Sequence, residues 1–440
     1  MSSNGAQERR RRVVIIGGGF GGLAAARKLC HANVEVTLID RMNHHLFQPL
    51  LYQVAVGMAS EGECASPTRV ALRHCRNSSV LMAEVVDVDP ERREVVLDRG
   101  ERLGYDSLIV ACGMETSYFG HDEWKDVSCG LKTLADAVDL RDRIFGALEQ
   151  AERAPDRESR AEWLSFVVVG GGPTGVEVAG ALATVAKHSR KGDYARIGPE
   201  DSRIILLDAG DRVLASFTES LSAKAASGLA ELGVTVREGV RASSIDSRGV
   251  TIEVDGASER IAARTVIWAA GVRAVKFTDV LARATGASTD RAGRIEVNRD
   301  LTLPGHPEIS VIGDVAKLEG PGGKPLPGLA TVAIQQARHV AEGIRGGRQG
   351  ASTPFRYLDK GALAVIGRGR AVCEIRGLKL SGRAALAIYL GVHLFYLGGE
   401  GKRLKLLIDW ATARVGDRGN QVVEGELSSV ERAPPSVQAV

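Results

Sequence analysis

The stretch Val13-Val-Ile-Ile-Gly-Gly-Gly-Phe-Gly-Gly-Leu-Ala-Ala-Ala-Arg-Lys-Leu29, followed by Val34-Glu-Val-Thr-Leu-Ile-Asp40, reads as strand, glycine turn, helix and strand. The opening apolar run suits a parallel strand covered on both faces. Gly17, Gly19 and Gly22 stand in the G-x-G-x-x-G register. The first glycine permits a tight turn and the second lets a pyrophosphate approach the backbone. The third lets helix and strand pack closely, and the helix N-terminus favours the phosphate charge. Asp40 closes the second strand 18 positions after Gly22, where a carboxylate accepts a hydrogen bond from an adenosine ribose. A glycine-rich surface loop would leave the position of Asp40 without a reason.

The pattern then returns. Leu164-Ser-Phe-Val-Val-Val169 reads as a strand, Gly170, Gly172 and Gly175 repeat the register, Val176 to Ala186 reads as the helix, and Arg203-Ile-Ile-Leu-Leu-Asp208 is the next strand with its terminal acid. The 33 positions from Gly175 to Asp208 exceed the usual separation of about 20, and an insertion at 188–199 accounts for the excess. Leu108-Ile-Val-Ala-Cys-Gly113 and Val266-Ile-Trp-Ala-Ala-Gly271 form a third matching pair. Between the copies, Val80 to Val88 and Glu94 to Leu97 alternate as strands and Thr133 to Ala151 reads as a helix. The charged run from Glu152 to Arg160 marks a boundary. Ile309-Ser-Val-Ile-Gly-Asp314 is one further short strand, and Ala330 to Gly343 has helical composition. Two tandem nucleotide units in an α/β chain suggest electron traffic. A flavin held by the first unit could take hydride from a nicotinamide held by the second, with the protein supplying position and electrostatics.

Composition narrows the field. With 440 residues, 44% apolar and 25% charged, the chain fits a soluble globular protein of two or three domains. Its net charge of +3 suggests no nucleic-acid partner. The charge is uneven: residues 376–418 carry +5 and residues 1–12 another +3, which leaves the remainder at −5. A basic C-terminal segment on a slightly acidic body points to an anionic surface. The run from Ala384 to Leu397 is 14 residues, apolar except for His393, and so is too short to span a bilayer, which takes about 20. Apolar residues at helical spacing follow from Leu404 to Val415, among basic ones. With Tyr389, Tyr396 and Trp410 they suit a helix lying in a membrane interface; a dimer interface or a core helix is the alternative. The N-terminal residues Met1–Arg12 resemble neither a signal peptide nor an anchor. Six cysteines form no C-x-x-C pair, which argues against zinc, iron–sulfur ligation and a redox-active dithiol. They are expected as small core residues in a reducing cytosol. His44 and His45 have no carboxylate or cysteine at ligand spacing and are expected to pack or hydrogen-bond, so no metal site is anticipated.

From about Arg11 to Val415 the chain resembles the type II NADH dehydrogenases, the single-subunit, non-proton-pumping NADH:quinone oxidoreductases of respiratory membranes. The resemblance rests on Gly17–Gly22, His44-His-Leu-Phe-Gln-Pro-Leu-Leu-Tyr-Gln53, Ser117-Tyr-Phe-Gly120, Gly170-Gly-Gly-Pro-Thr-Gly-Val-Glu-Val-Ala179, Val266–Gly271, Val311-Ile-Gly-Asp314 and Asp359-Lys-Gly361. It implies FAD and NADH as cofactors and a quinone (ubiquinone or menaquinone) as acceptor. By the same resemblance, Gly17, Gly19, Gly22 and Asp40 hold the FAD adenosine, and Asp314 the ribityl chain. Gly170, Gly172 and Gly175 match the NADH pyrophosphate turn and Asp208 the ribose acid, where a carboxylate would repel the 2′-phosphate of NADPH. Phe20, Gln48 and Gly271 in these segments, and Ala111, Gly113 and Ala333 outside them, are expected cofactor contacts. Glu177 resembles the family's acid near the flavin, proposed to relay protons to quinone, and Lys360 a family lysine near the flavin. Gln335 matches the second of two glutamines on the quinone helix, whereas Thr331 stands where the first is usual.

The resemblance implies an FAD domain built from 13–130 and 285–375 with an NADH domain, 131–284, inserted. The residues themselves add a disordered basic arm at 1–12 and a disordered tail at 419–440, with a membrane-surface segment at 376–418 expected on the cytoplasmic face and a homodimer as a candidate assembly. Competing readings are a soluble NADH-dependent reductase of a small electron-carrier protein, a nucleotide-binding redox sensor with little turnover, and a dinucleotide binder without flavin.

Overall fold

The computed structural model describes residues 9–188, 193–320, 323–367, 369–397, 403, 404 and 423. They form two compact units, one of residues 1–46, 66–115 and 272–359, the other of residues 47–65, 116–271 and 360–440. Residues 116–130, expected with the FAD domain, fall in the second unit, as do 47–65 and 360–375, while 272–284 fall in the first. The chain leaves and re-enters each unit, so no break in composition marks these crossings.

The first unit is built on a six-stranded sheet in the order Thr302–Leu303, His306–Val311, Ser107–Val110, Arg11–Ile16, Val34–Asp40 and Ser78–Met82. All neighbours are parallel except the first pair. The register sets Ile16 beside Ile39 and Val110, so the three strands end together at the glycine turn. The helices Phe20–Leu29 and Ala330–Arg345 cover one face, burying Leu23, Ala26, Leu29, Ala337, Val340 and Ile344 against Ile15 and Leu38. On the other face Val85, Val95 and Leu97 of a small antiparallel sheet and Phe277 and Leu281 of the helix Phe277–Thr285 meet Val14, Ile39 and Leu108. With both faces covered, the strands read as unbroken apolar runs.

Two local readings change. The single strand expected over 80–88 is two, Ser78–Met82 in the parallel sheet and Val85–Asp89 in the antiparallel one. Arg11 and Arg12, assigned to the disordered arm, begin the first strand. The Arg11 guanidinium donates to the carbonyls of Ile344 (2.5 Å) and Arg348 (2.7 Å), capping the end of the long helix. The cysteine expectation also needs correction. Cys30 and Cys75, 45 residues apart with Cα atoms 4.9 Å from each other, are joined by a disulfide. Spacing carried no sign of it, because the loops before two neighbouring strands meet only in the sheet. Cys64, Cys129 and Cys373 are buried free thiols, and Cys112 is half-buried.

The second unit repeats the plan with four parallel strands in the order Val234–Arg237, Arg203–Leu207, Ser165–Val169 and Thr265–Trp268. Val167, Val169, Ile205 and Trp268 pack with Val250, Ile252 and Ile261 of an antiparallel sheet. The helix Leu134–Arg153 starts at Thr133, whose hydroxyl accepts from the Asp136 N–H while the Asp136 carboxylate accepts from the Thr133 N–H, a capping box. A last hairpin sheet, Ala362–Gly367, Arg370–Ile375 and Leu378–Ser381, carries the helix Gly382–Tyr396. The expected insertion at 188–199 lies partly, and the amphipathic stretch after Leu404 and the tail at 419–440 almost wholly, outside the described residues, as do residues 1–8.

Arg141, on the long helix of this unit, has no exposed side-chain surface and pairs at 2.5 Å with Glu61, with Asp142 at 3.5 Å. The pair ties the segment 47–65, which carries Gln48, Tyr52 and Gln53, to the body of the unit. Glu61→Ala should therefore lower stability by about 3 kcal/mol, the lower end for breaking a buried pair since Asp142 remains. Urea denaturation followed by circular dichroism checks this; a change below ~1 kcal/mol would place the pair among ordinary surface bridges.

Candidate functional site

The two glycine turns are built alike, bond for bond. In the first, the Gly17 N–H donates to Ile39 (2.8 Å) and the Ala111 N–H to Ile16 (2.8 Å). In the second, the Gly170 N–H donates to Leu207 (2.7 Å) and the Ala269 N–H to Val169 (2.8 Å). Gly17 and Gly170 lie at φ +101° and +112° against the backbones of Ala111 and Ala269, so a side chain is excluded by both conformation and space. A Cβ on Gly22 or Gly175 would collide with the carbonyl oxygen of Gly17 or Gly170, which is the close helix–strand approach expected of the third glycine. Gly19 and Gly172, by contrast, face open space at the two helix N-termini. Gly19 caps its helix with no side-chain hydrogen bond, leaving the N–H groups beyond it for an anion.

The acids complete the match. One oxygen of Asp40 accepts from the Gly18 N–H (2.5 Å) and the other from Met42 (2.7 Å). Asp208 accepts from Gly171 and, through its second oxygen, from Gly210 (2.7 Å). The longer chain separation of Asp208 thus changes nothing in its placement. Both turns fit a dinucleotide: an open helix N-terminus for the pyrophosphate and a carboxylate at the neighbouring strand end for the ribose.

Around the first turn, His45 donates through Nδ1 to the Gly18 carbonyl (3.0 Å) and packs edge-on against Phe20 at 5.0 Å. Burial lowers its pKa to about 4, so the ring is neutral, a packing group as the sequence suggests. Among the described residues no group of three or more His, Cys, Asp or Glu is placed to hold a metal. Asp314 sits in the turn Gly313–Val315, with Gly328 opposite its carboxyl and Ala333 close to Gly313. Gln336, which the sequence reading passed over, is buried and accepts from the Gly313 N–H (2.6 Å). Gln335 spends its amide on the backbone of Leu358, donating to the carbonyl and accepting from the N–H at 3.0 Å each. Thr331 meets the Tyr357 hydroxyl at 3.2 Å. Gly113 lies at φ +71° in open space.

In the second unit, Gly271 (φ +74°) lies under Phe119 and its carbonyl accepts from the Ser117 N–H (3.2 Å). Gln48 is exposed and donates to Lys132 (3.4 Å). Lys360 is exposed, and its ammonium donates to the Tyr396 hydroxyl (3.2 Å) at the end of the last helix.

The chemically singular group is Glu177. It lies on the helix Pro173–His188, accepts from the Val365 N–H (3.3 Å) and is hydrogen-bonded by Tyr389. Part of the residue reaches the surface, yet its carboxyl is enclosed, and that burial raises its pKa to about 8. Tyr52 and Tyr389 stand beside it, hydrogen-bonded to one another, both with pKa values pushed up by burial first and by the nearby carboxylate second. Gln53 donates to the Tyr52 hydroxyl (3.0 Å), and the Tyr389 hydroxyl also reaches the Pro49 carbonyl (3.3 Å). His393 stacks on Tyr389 at 3.8 Å and packs edge-on to Phe47. Tyr389 is 1% exposed, which corrects its reading as a membrane-interface aromatic. No sequence period joins residues 52, 177, 365, 389 and 393; the motif positions of Glu177 and Tyr52 point to two members of the cluster, and Val365, Tyr389 and His393 join them only in the fold.

A family model of the pyridine nucleotide-disulphide oxidoreductases matches residues 11–337, and the chain belongs to that family. Over 411 residues it is 45% identical to the type II NADH:quinone oxidoreductase Ndh of Mycobacterium tuberculosis, with 92% of this chain and 88% of that one covered. NdhA of the same organism is 42% identical over 419 residues, covering 93% and 88%. Within its class the chain is thus a member of the type II NADH:quinone oxidoreductase family. The structure of NDH2 from Plasmodium falciparum in complex with NADH has the same fold, with a TM-score of 0.86 over 94% of this chain and 100% of that one at 21% identity.

The raised pKa of Glu177 makes a stability prediction. An ordinary glutamate pKa is 4.5, so the buried form's contribution is complete below that value and is lost as pH rises through about 8. Glu177→Gln carries no charge at any pH. Its melting temperature relative to the parent should climb from pH 5 to pH 8 and then level off. A difference flat across that range would mean an ordinary, ionised carboxylate.

Proposed function

We propose that the chain oxidises NADH through bound FAD and delivers two electrons to a quinone at the membrane surface, moving no proton across the membrane. Its membership of the type II family supports this reading, as do the paired nucleotide turns. Bound FAD supplies the two-electron step between a hydride donor and the acceptor. The chain's own residues do the rest. The open N-termini behind Gly19 and Gly172 hold pyrophosphates, and Asp40 and Asp208 hold riboses, Asp208 also turning away NADPH by charge.

The observation that carries the quinone half is the enclosed carboxyl of Glu177 beside Tyr52 and Tyr389, which burial favours in its neutral form. Reducing a quinone takes two electrons and two protons. NADH brings the hydride, and one proton must come from the medium. An acid with a pKa near 8 is loaded at neutral pH and weak enough to be reloaded after it gives its proton. The hydroxyls of Tyr389 and Tyr52 form the hydrogen-bonded route by which it reloads, with His393 stacked at its side. Gln335 and Thr331 act through the segment they brace, around Tyr357 and Leu358. Lys360 anchors the last helix through Tyr396.

No helix among the described residues is long and apolar enough to cross a membrane. Phe395 is 72% and Leu378 57% exposed in the C-terminal part of the second unit, and the basic residues of 376–418 lie near them in sequence. Both features support peripheral attachment at the cytoplasmic face. Flotation with anionic vesicles tests it; a protein that stays behind as a dimer would give this apolar surface to a second copy instead.

Glu177→Gln should keep its yellow flavin spectrum while quinone turnover falls by about 100-fold. Tyr389→Phe, which keeps the ring, should lose less and steepen the loss of rate above pH 8. Stopped-flow reduction by NADH alone should be unchanged in both. Full steady-state turnover in Glu177→Gln would end the relay. In a separate test, Asp208→Asn should narrow the preference for NADH over NADPH by roughly tenfold, read as the ratio of kcat/KM values.

A further inference from the structure

The parallel strands of the first unit end at the glycine turn, and dinucleotides bind outside those carboxyl ends. At the opposite, amino-terminal edge the chain gathers three arginines and two histidines. Arg10 precedes the strand Arg11–Ile16, His31 precedes Val34–Asp40, and Arg73, His74 and Arg76 precede Ser78–Met82. Because these strands lie side by side, the three loops meet. They line two clefts of about 320 Å³ and 540 Å³ that share His31 and Arg76. All five side chains are exposed.

The usual tasks of surface cations are already filled by others. Arg9 and Arg12 pair with Asp106 at 3.7 and 3.8 Å, and Arg11 caps the helix Ala330–Arg345. The end of the helix Phe20–Leu29 is served by Asn77, whose side-chain amide donates to the carbonyls of Leu29, Ala32 and Val34 at 3.0, 3.2 and 3.1 Å. Among the described residues Arg10, His31, Arg73, His74 and Arg76 meet no carboxylate, and the one bond within the group runs from Arg73 Nε to His74 Nε2 (3.0 Å). The loops that carry them are nonetheless held in place. The His31 N–H donates to Asn77 Oδ1 (3.3 Å), and the Cys30–Cys75 disulfide joins the residue before His31 to the residue between His74 and Arg76. Three guanidiniums held close together without acids leave a positive face open to an anion. Guanidinium forks on a rigid edge fit phosphate oxygens in pairs.

We infer that this edge of the first unit is a binding site for a phosphate-bearing anion, held by Arg10, Arg73 and Arg76 with His31 and His74 as further donors. A phospholipid headgroup and a free polyphosphate share that chemistry. The site goes beyond the quinone reductase reading and does not depend on it.

The test uses the FAD-loaded protein saturated with NAD+, so that both dinucleotide sites are filled, and inorganic tripolyphosphate as probe in titration calorimetry. One equivalent should bind, and Arg73→Ala/Arg76→Ala should weaken it by ~10-fold or more, the effect of losing a charged hydrogen bond. Arg73→Lys/Arg76→Lys, which keeps charge but not the fork, should lose less and serves as the readout should the alanine variant fail to fold. Flavin content and NADH oxidation should be unchanged in both. A second arm compares sedimentation with phosphatidylcholine vesicles containing a third phosphatidylglycerol. Weaker vesicle binding alongside weaker tripolyphosphate binding assigns the site to a lipid headgroup; unchanged vesicle binding assigns it to a free phosphate. Tripolyphosphate binding that is absent in the parent, or equal in parent and variants, overturns the site.

Discussion

A strand-end carboxylate accepting the N–H of a glycine turn holds each nucleotide unit together. Asp40 does this for Gly18 and Asp208 for Gly171. The bond fixes the turn, the turn sets where the helix begins, and the helix start presents free N–H groups to a phosphate. It can form only because Gly17 and Gly170 tolerate positive φ against the backbone of the next strand. Apart from the two carboxylates, what each turn offers a nucleotide is backbone geometry, and the other side chains keep out of the way.

Glu177 illustrates the opposite economy. It sits two residues beyond a backbone-only site, on the first turns of the same helix, where the chain encloses its carboxyl. Burial disfavours the charged form, and with one N–H bond from Val365 and hydroxyls from Tyr389 and Tyr52 nearby, no cation among the described residues restores it. The result is an acid whose burial favours the neutral form, with two tyrosine hydroxyls beside it. The same helix thus offers an anion site at its N-terminus and a proton-bearing acid within a turn of it.

Much of this was legible in the chain. The two glycine registers, the terminal acids and the third matching strands are local patterns, and each element formed within a few residues of its expected place. The strand Val80 to Val88 misled because two strands of one alternating run belong to different sheets. The local pattern leaves Arg11 in the N-terminal arm because its partners, the carbonyls of Ile344 and Arg348, lie more than 300 residues away. Gln335 drew attention by its match to a family pattern, while its neighbour Gln336, which holds the Gly313 turn, carried no pattern at all.

The amino-acid sequence by itself determined the doubled nucleotide plan, because a turn, a helix start and a strand end are set by neighbours a few positions apart. Only the tertiary structure decided that Tyr52 and Tyr389 flank Glu177, that Cys30 meets Cys75, and that three arginines and two histidines share one sheet edge. Those groups are brought together by sheet order and by burial, and both depend on residues far apart along the chain.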